Sequence, residues 1–392
     1  MSKILNYISD LFVFRNLKKI SNGYLNLLDS RGKRHFFGDS KSFLRAKIKI
    51  NDPSFCYKIL RRGSSGLGES YMNGEFETED LTSLIELSAK NINTTHRFAG
   101  FFEFSLLKKF LKKKNTMTRS KKNISLHYDL GNDFFSTWLD KSLTYSCGIF
   151  NSSKETLEQA QINKYNKIID MVKPKKGDRV LEIGCGWGGF AVYLAKNFDI
   201  TIDCITISKK QFFFTKEKIR KEKLNHKVNV KMMDYRDLKN KYDIIVSIEM
   251  IEAVGEVYLD QYFNIIKENL SSGGRGAIQA IVIKDELYKR YRTKEDFIQK
   301  YIFPGGFLPS IQYLKKLSNN SGLRIEEYHS YGSHYSNTLN KWRESFLNSW
   351  DDISRQGFNL SFKKMWDFYF AYCDAGFKSK NIDLVQFSLC NK

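Results

Sequence analysis

The sequence predicts an α/β protein built on a doubly wound parallel sheet, with a smaller α+β domain ahead of it. Three observations carry this prediction. From about residue 123 onward, apolar strand-like runs alternate with helical stretches, the pattern of parallel strands joined by crossover helices. The run ending at Ile183 passes into Gly184-Cys185-Gly186-Trp187-Gly188-Gly189, where glycines let the backbone turn tightly and let a ligand approach the main chain without meeting a Cβ. The chemically informative residues fall at the carboxyl ends of the predicted strands, where such sheets bind ligands.

Residues 1–95 form the first compositional block. Strand-like Gly23 to Leu28 and Ala46 to Ile50 lead into Arg61 to Gly74, a glycine- and serine-rich stretch that reads as turns. Asp80 to Ala89 follows as a helix with Asp80 at its N-cap. Residues 96–122 form a basic, aromatic linker. Phe98, Phe101, Phe102, Phe104, Leu106, Leu107, Phe110 and Leu111 adjoin Lys108, Lys109, Lys112, Lys113, Lys114, Arg119, Lys121 and Lys122 with no acid among the latter. That composition suits an interfacial helix beside anionic headgroups, and equally an interdomain helix with a solvated lysine-rich end. Residues 123–392 form the α/β domain. Its predicted strands are Arg179–Ile183, Thr201–Ile207, Lys227–Met232, Asp243–Ile248 and Gly276–Ile283, with helices such as Phe190–Asn197 and Lys209–Lys223 between them.

Bulk properties bound the function. A chain of 392 residues is long enough for two domains, and it contains no apolar run of the roughly 18 residues that a membrane-spanning helix needs. Met1 to Lys18 is interrupted by Asp10 and Arg15 and lacks a small-residue cleavage site, which argues against a secretory signal. The six cysteines are scattered without CxxC or zinc spacing, so no metal is expected, and a reducing cytoplasm fits. A net charge of +21 points to a polyanionic partner, either nucleic acid or an anionic bilayer surface; a lysine-rich genome also contributes to such a background.

The glycine spacing from Val180 to Gly189 is the nucleotide cradle of class I S-adenosylmethionine methyltransferases, a Rossmann-like sheet, rather than the GxGxxG of dinucleotide binders. Thr206 and Gln211, after the second strand, can hydrogen-bond ribose hydroxyls, although Ser208 there also reads as a helix N-cap. Asp234-Tyr235-Arg236-Asp237, after the third strand, suits the amine and ring face of an adenine. The fourth strand ends in Ser247-Ile248-Glu249-Met250-Ile251-Glu252. Buried carboxylates at such a strand end are costly without a partner, and of Glu249 and Glu252 the sequence reading favours Glu252 for the active site.

Together these motifs resemble the cyclopropane-fatty-acyl-phospholipid synthases and the related mycolic acid cyclopropane synthases. The resemblance rests on YDLGNDFF (Tyr128–Phe135), TYSC (Thr144–Cys147), VLEIGCGWGG, TIS with Gln211, DYRDL, SIEMIEAVG (Ser247–Gly255), YIFPGGFLPS (Tyr301–Ser310) and HYSNTLNKW (His334–Trp342). These occur in the family's order over roughly 125–390. GLGESYMNGEF (Gly66–Phe76) extends the likeness into the N-terminal domain of the phospholipid-acting branch.

The resemblance implies transfer of the methyl of S-adenosylmethionine to a cis double bond of a phospholipid acyl chain. It implies a carbocation and loss of a proton to close a three-membered ring. The family's base is a bicarbonate held by a Cys, a Glu, a His, a Tyr and an Ile main-chain group, positions that fall on Cys147, Glu252, Gln279, Ile281 and Tyr335. The family's histidine is glutamine here, and Gln279 can hydrogen-bond an anion but takes up no proton near neutral pH. Bicarbonate binding is weakened accordingly, and a methyl-branched product stays open beside the ring. Cys147 is not read as a nucleophile, because no matched histidine activates it. The resemblance assigns Tyr145 and Ser146 to the methionine end of the cofactor, Gly184, Gly186, Trp187 and Gly188 beneath it, Thr206 and Gln211 to the ribose, and Asp234, Tyr235 and Arg236 to the adenine. The expected partner is an unsaturated phospholipid in an anionic membrane, reached from the cytoplasmic face by a peripheral enzyme, with a homodimer left open. Nucleic-acid methylation is a less favoured alternative, since the Asp/Asn-Pro-Pro-Tyr/Phe tetrad is missing and none of the four prolines is adjacent to another. A non-catalytic lipid-binding protein is the third, which the intact cofactor motifs oppose.

Overall fold

A computed structural model describes residues 3–92 and 130–392. The aromatic and basic segment Phe98–Lys122, together with Tyr128 and Asp129 of the first family motif, lies outside the described residues. By contacts the described chain divides into two units: one of 3–92, 291–302 and 354–381, the other of 130–290, 303–353 and 382–392.

The first unit is α+β. Its sheet has the order β2-β1-β3-β4, from β1 (Tyr24–Leu28), β2 (Arg34–Gly38), β3 (Arg45–Ile50) and the short β4 (Phe76–Glu77). β1 runs antiparallel to β2 and parallel to β3. Strict alternation in β3 buries Ala46, Ile48 and Ile50 on one face. Helices α1 (Lys3–Leu17), α2 (Phe55–Met72) and α3 (Leu81–Lys90) accompany the sheet, and Asp80 caps α3 by accepting from the Ser83 N–H at 3.0 Å. The glycine-rich stretch after Arg61 is therefore helix, not turns, apart from a kink at Gly63 (φ 53°, ψ −130°). Close packing explains its glycines: a Cβ on Gly68 would stand 2.3 Å from the Phe297 ring, and one on Gly66 2.5 Å from the Lys58 carbonyl. Phe297 also packs on Phe368, ring centroids 4.5 Å apart, and the Tyr71 hydroxyl donates to Asp367 at 2.5 Å, so both late segments share the N-terminal core.

The second unit carries a seven-stranded sheet of order β10-β11-β9-β8-β5-β6-β7. β5 (Arg179–Ile183), β6 (Thr201–Thr206), β7 (Val228–Met232), β8 (Tyr242–Ile248) and β9 (Leu270–Ile283) are parallel, while β10 (Leu323–Ser330) and β11 (Ile382–Asn391) add an antiparallel pair beside β9. The central strands β5, β6 and β8 are buried along most of their length. The switch in strand order lies between β5 and β8, which opens a crevice at their carboxyl ends.

Candidate active site

A pocket lies at those carboxyl ends. Apart from Gly188, every residue assigned to the cofactor lines it: Tyr145, Ser146, Gly184, Gly186, Trp187, Thr206, Gln211, Asp234, Tyr235 and Arg236. After β5 the chain turns through Gly184 (φ 81°), Gly186 (φ 52°) and Gly188 (φ 75°), all in the left-handed region that favours glycine. A Cβ on Gly186 would stand in open space, whereas one on Gly188 would meet Thr215 Cγ2 at 2.6 Å. Gly186 thus keeps the cradle clear for a ligand, and Gly188 makes room for the helix Lys209–Lys221. Trp187 is pinned by its Nε1 donating to Asn132 Oδ1 at 2.9 Å, which gives one residue of the first family motif a defined task.

The polar residues around the rest of the pocket are pre-oriented. Thr206 Oγ1 donates to Gln211 Oε1 at 2.9 Å, and Ser208 caps the following helix through the Gln211 N–H. Arg236 binds both carboxylate oxygens of Asp234, at 2.8 and 2.7 Å, and lies over the Tyr235 and Tyr258 rings. Tyr145 sits in an aromatic group, with ring centroids 5.4 Å from Phe135, 5.6 Å from Trp138 and 5.1 Å from Trp342. An open cradle, a hydrogen-bonded Thr206–Gln211 pair and an aromatic wall all fit S-adenosylmethionine.

The residues assigned to the chemistry lie just beyond this pocket, and Glu249 draws three of the five together. Glu249 itself lines the pocket. Its Oε1 accepts from the Cys147 main-chain N–H at 2.9 Å and from Gln279 Nε2 at 2.7 Å, and its Oε2 accepts from the Tyr335 hydroxyl at 2.6 Å. Its backbone is left-handed, φ 50°, a strained conformation for a residue with a Cβ. Burial pushes its carboxyl above the usual range, against the hydrogen bonds and the nearby Lys164 charge. Glu252, which the sequence favours, meets another of the five assigned residues. Its Oε1 accepts from the Ile281 N–H at 2.6 Å, and its buried Oε2 has no partner among the described residues. Burial, then the charge of Glu249, pushes Glu252 up to about 8. Its main-chain oxygen receives the Phe307 N–H at 2.9 Å, anchoring the FPGGF segment.

Three further residues escaped the sequence reading. Lys164 is fully buried, lines the pocket and donates to Ser146 Oγ at 2.7 Å; desolvation pushes it down to about 8. Its signal was its place on the apolar stripe of the helix Leu157–Val172. Thr338 Oγ1 receives the Gly148 N–H at 3.1 Å and lies 3.6 Å from the Cys147 thiol. That thiol is fully buried and pushed well above its usual range, which disfavours the nucleophilic thiolate. Gln386, a buried polar residue between Val385 and Phe387 on β11, donates to Gln279 at 2.8 Å.

Comparison with known proteins places the chain in a family. The family model described as mycolic acid cyclopropane synthetase matches residues 115–387. The chain is 36% identical over 350 residues to the cyclopropane-fatty-acyl-phospholipid synthase of Escherichia coli, covering 87% of each protein. It is 35% identical over 342 residues to the tuberculostearic acid methyltransferase UfaA1 of Mycobacterium tuberculosis, covering 85% of this chain and 80% of that one. The solved structure of mycolic acid cyclopropane synthase CmaA1, complexed with SAH and CTAB, superposes with a TM-score of 0.63 at 26% identity, over 69% of this chain and 98% of that one. The chain belongs to the mycolic acid cyclopropane synthetase family and is an S-adenosylmethionine-dependent methyltransferase of the cyclopropane-fatty-acyl-phospholipid synthase type.

Proposed function

We propose that the protein adds a methylene bridge to a cis double bond in a phospholipid acyl chain while docked on an anionic membrane. The observation that carries this reading is the juxtaposition of an aromatic wall and a buried carboxylate at one end of the cofactor pocket. S-adenosylmethionine, when bound, supplies an electrophilic methyl on a positively charged sulfur. An alkene is a weak nucleophile, so the residues lining the pocket must hold it in line with that methyl and away from water. Positive charge then develops on the acyl chain. Tyr145, which lines the pocket and is backed by Trp138 and Trp342, offers it electron density without offering a strong nucleophile.

Deprotonation must follow for a ring to close. A bicarbonate does not fit the residues that the resemblance assigns to it. The Cys147 N–H, Gln279 and Tyr335 are committed to Glu249, and the Ile281 N–H is committed to Glu252.

Docking has its own support in the first unit. Ile4, Tyr7, Ile8 and Leu11 are exposed on α1 at helical spacing, flanked by exposed Lys3, Lys18 and Lys19. An apolar stripe beside basic side chains suits the headgroup boundary of an anionic bilayer, and the net charge of +21 adds to it. Among the described residues no helix is long and apolar enough to cross a membrane. A peripheral enzyme on the cytoplasmic leaflet is the corresponding assignment.

The test is incubation with methyl-labelled S-adenosylmethionine and unsaturated phosphatidylglycerol vesicles, read by mass spectrometry and proton NMR. A gain of one methylene with high-field cyclopropyl signals supports the reading. A labelled chain without those signals replaces ring closure by methyl branching, and unlabelled lipid removes this substrate class.

A further inference from the structure

We propose that Glu249 is the built-in base of this enzyme, its own carboxylate taking the place of an exogenous anion in the cradle of Cys147, Gln279 and Tyr335. The inference rests on the acyl-chain reading above for its substrate, and on four independent features of this chain for the base itself.

The first is the donor set. Three groups donate to the Glu249 carboxylate: a main-chain N–H, a carboxamide N–H and a phenol O–H, at 2.9, 2.7 and 2.6 Å. Donors converging on two oxygens describe an anion site, and here a side chain of the protein occupies it. The second is orientation. Gln279 Oε1 accepts from Gln386 Nε2, so the Gln279 amide is fixed with its N–H toward Glu249. Glutamine at this position suits a permanent carboxylate neighbour, because it donates at every pH and never competes for the proton. The third is backbone strain. A glutamate held at φ 50° costs of order 1–3 kcal/mol, a cost that persists where the surroundings demand the conformation. The fourth is access. Glu249 lines the cofactor pocket, while the alternative carboxylate, Glu252, does not.

The step balances without a co-reactant. After the methyl carbon has bonded to the acyl chain, a Glu249 oxygen forms an O–H bond with a proton of that carbon. The C–H electron pair becomes the third ring bond and cancels the positive charge on the chain. The product is a neutral ring and a protonated Glu249. Burial, which raises the affinity of this carboxyl for a proton, makes it a stronger base than a solvated glutamate.

The experiment compares full-length wild type with Glu249→Gln and Glu249→Gly, each first checked for S-adenosylhomocysteine binding and thermal unfolding. Glycine is suited to the left-handed backbone, so the second variant should fold even if the first does not. Turnover on unsaturated phosphatidylglycerol vesicles is measured in carbon-dioxide-free buffer, then with added bicarbonate. Binding of 13C-bicarbonate, followed by NMR, is measured without lipid. The expected results are a wild type that neither needs nor binds bicarbonate, and a loss on the order of 100-fold or more in Glu249→Gln. Glu249→Gly should bind bicarbonate and recover turnover with bicarbonate or formate. Wild-type turnover that falls without bicarbonate and returns with it overturns the proposal, as does 13C-bicarbonate bound to wild type or a Glu249→Gln variant within three-fold of wild type. In all those cases lipid is still labelled and the acyl-chain reading stands. Unlabelled lipid with wild type overturns both.

Discussion

Gln386 and Gln279 face each other across β11 and β9, in register, and the Nε2 of the first donates to the Oε1 of the second at 2.8 Å. Both side chains are completely buried. The contact decides which end of the Gln279 amide meets Glu249, so a residue outside the pocket sets the polarity of the site. In Gln386→Met the Oε1 of Gln279 loses its donor in a dry environment, a penalty of about 1–3 kcal/mol. Chemical denaturation should register that loss. The rate on lipid should fall by about ten-fold while S-adenosylhomocysteine affinity holds, because Gln386 orients the donor rather than touching the cofactor. An unchanged rate would mean that Gln279 keeps its orientation without help.

Two neighbouring glycines should fail in different ways. A methyl on Gly186 meets no protein atom within 4 Å and projects into the pocket, so Gly186→Ala should weaken S-adenosylhomocysteine binding by more than ten-fold. Its stability cost should stay near the left-handed backbone penalty, about 1–2 kcal/mol. A methyl on Gly188 collides with Thr215 at 2.6 Å, so Gly188→Ala should lose more stability than Gly186→Ala. Calorimetric titration and thermal unfolding of both variants check the contrast. Equal destabilisation would contradict the separate roles.

Glu252 should leave a mark on the pH dependence of stability. Its folded-state carboxyl is pushed up to about 8 from an ordinary 4.5, first by burial and then by Glu249. The folded protein therefore retains a proton that the unfolded chain has lost between those values, and this group's contribution declines as pH rises from about 4.5 to 8. Glu252→Gln removes the titration. The stability of the variant relative to wild type should climb across that window. Denaturation curves at pH 5, 6.5 and 8 measure it, and a pH-independent difference would remove the protonated Glu252.

Membrane docking through α1 predicts a separable defect. Ile8→Glu with Leu11→Glu places charge on the exposed apolar stripe without entering the unit's core, since both side chains are about half exposed. Co-sedimentation with phosphatidylglycerol vesicles should drop several-fold while S-adenosylhomocysteine binding is unchanged. Undiminished vesicle binding would move the docking surface elsewhere.

The parallel sheet is legible because its strands carry clusters of apolar residues; Val180–Ile183, apolar apart from Glu182, can be read directly from the residues. Much of the pocket lining is legible because the glycine turn, Thr206 and Asp234 to Arg236 sit at or just past strand ends, where local sequence order places them. Three things are not. The glycines of α2 look like turn residues until Phe297, more than 200 positions later, is seen packed against Gly68. The choice between Glu249 and Glu252 depends on donors from positions 147, 279 and 335 and on one left-handed residue, none of which a strand pattern contains. Gln386 gains meaning only from its register with β9. Lys164 differs from these, since its place on a buried helical stripe is visible in the residue spacing alone.

Lys164 provides a direct probe of the charge on Glu249. Its ammonium is fully buried and bonded to Ser146 Oγ, and its charge favours the ionised form of Glu249 against the burial that opposes it. In Lys164→Met that favourable term vanishes while an apolar chain of similar length fills the space. The folded-state affinity of Glu249 for a proton must then rise, so a base that works as the carboxylate becomes available only at higher pH. The acidic limb of the pH–rate profile should shift upward by about one unit or more, which is about 1.4 kcal/mol of differential interaction per unit. Activity at neutral pH should fall and partly return in alkaline buffer. A general loss of activity with an unmoved limb would assign Lys164 to packing around Ser146 alone. A moved limb in Lys164→Met that disappears when Glu249→Gln is added would tie the titration to the carboxylate at the centre of the site.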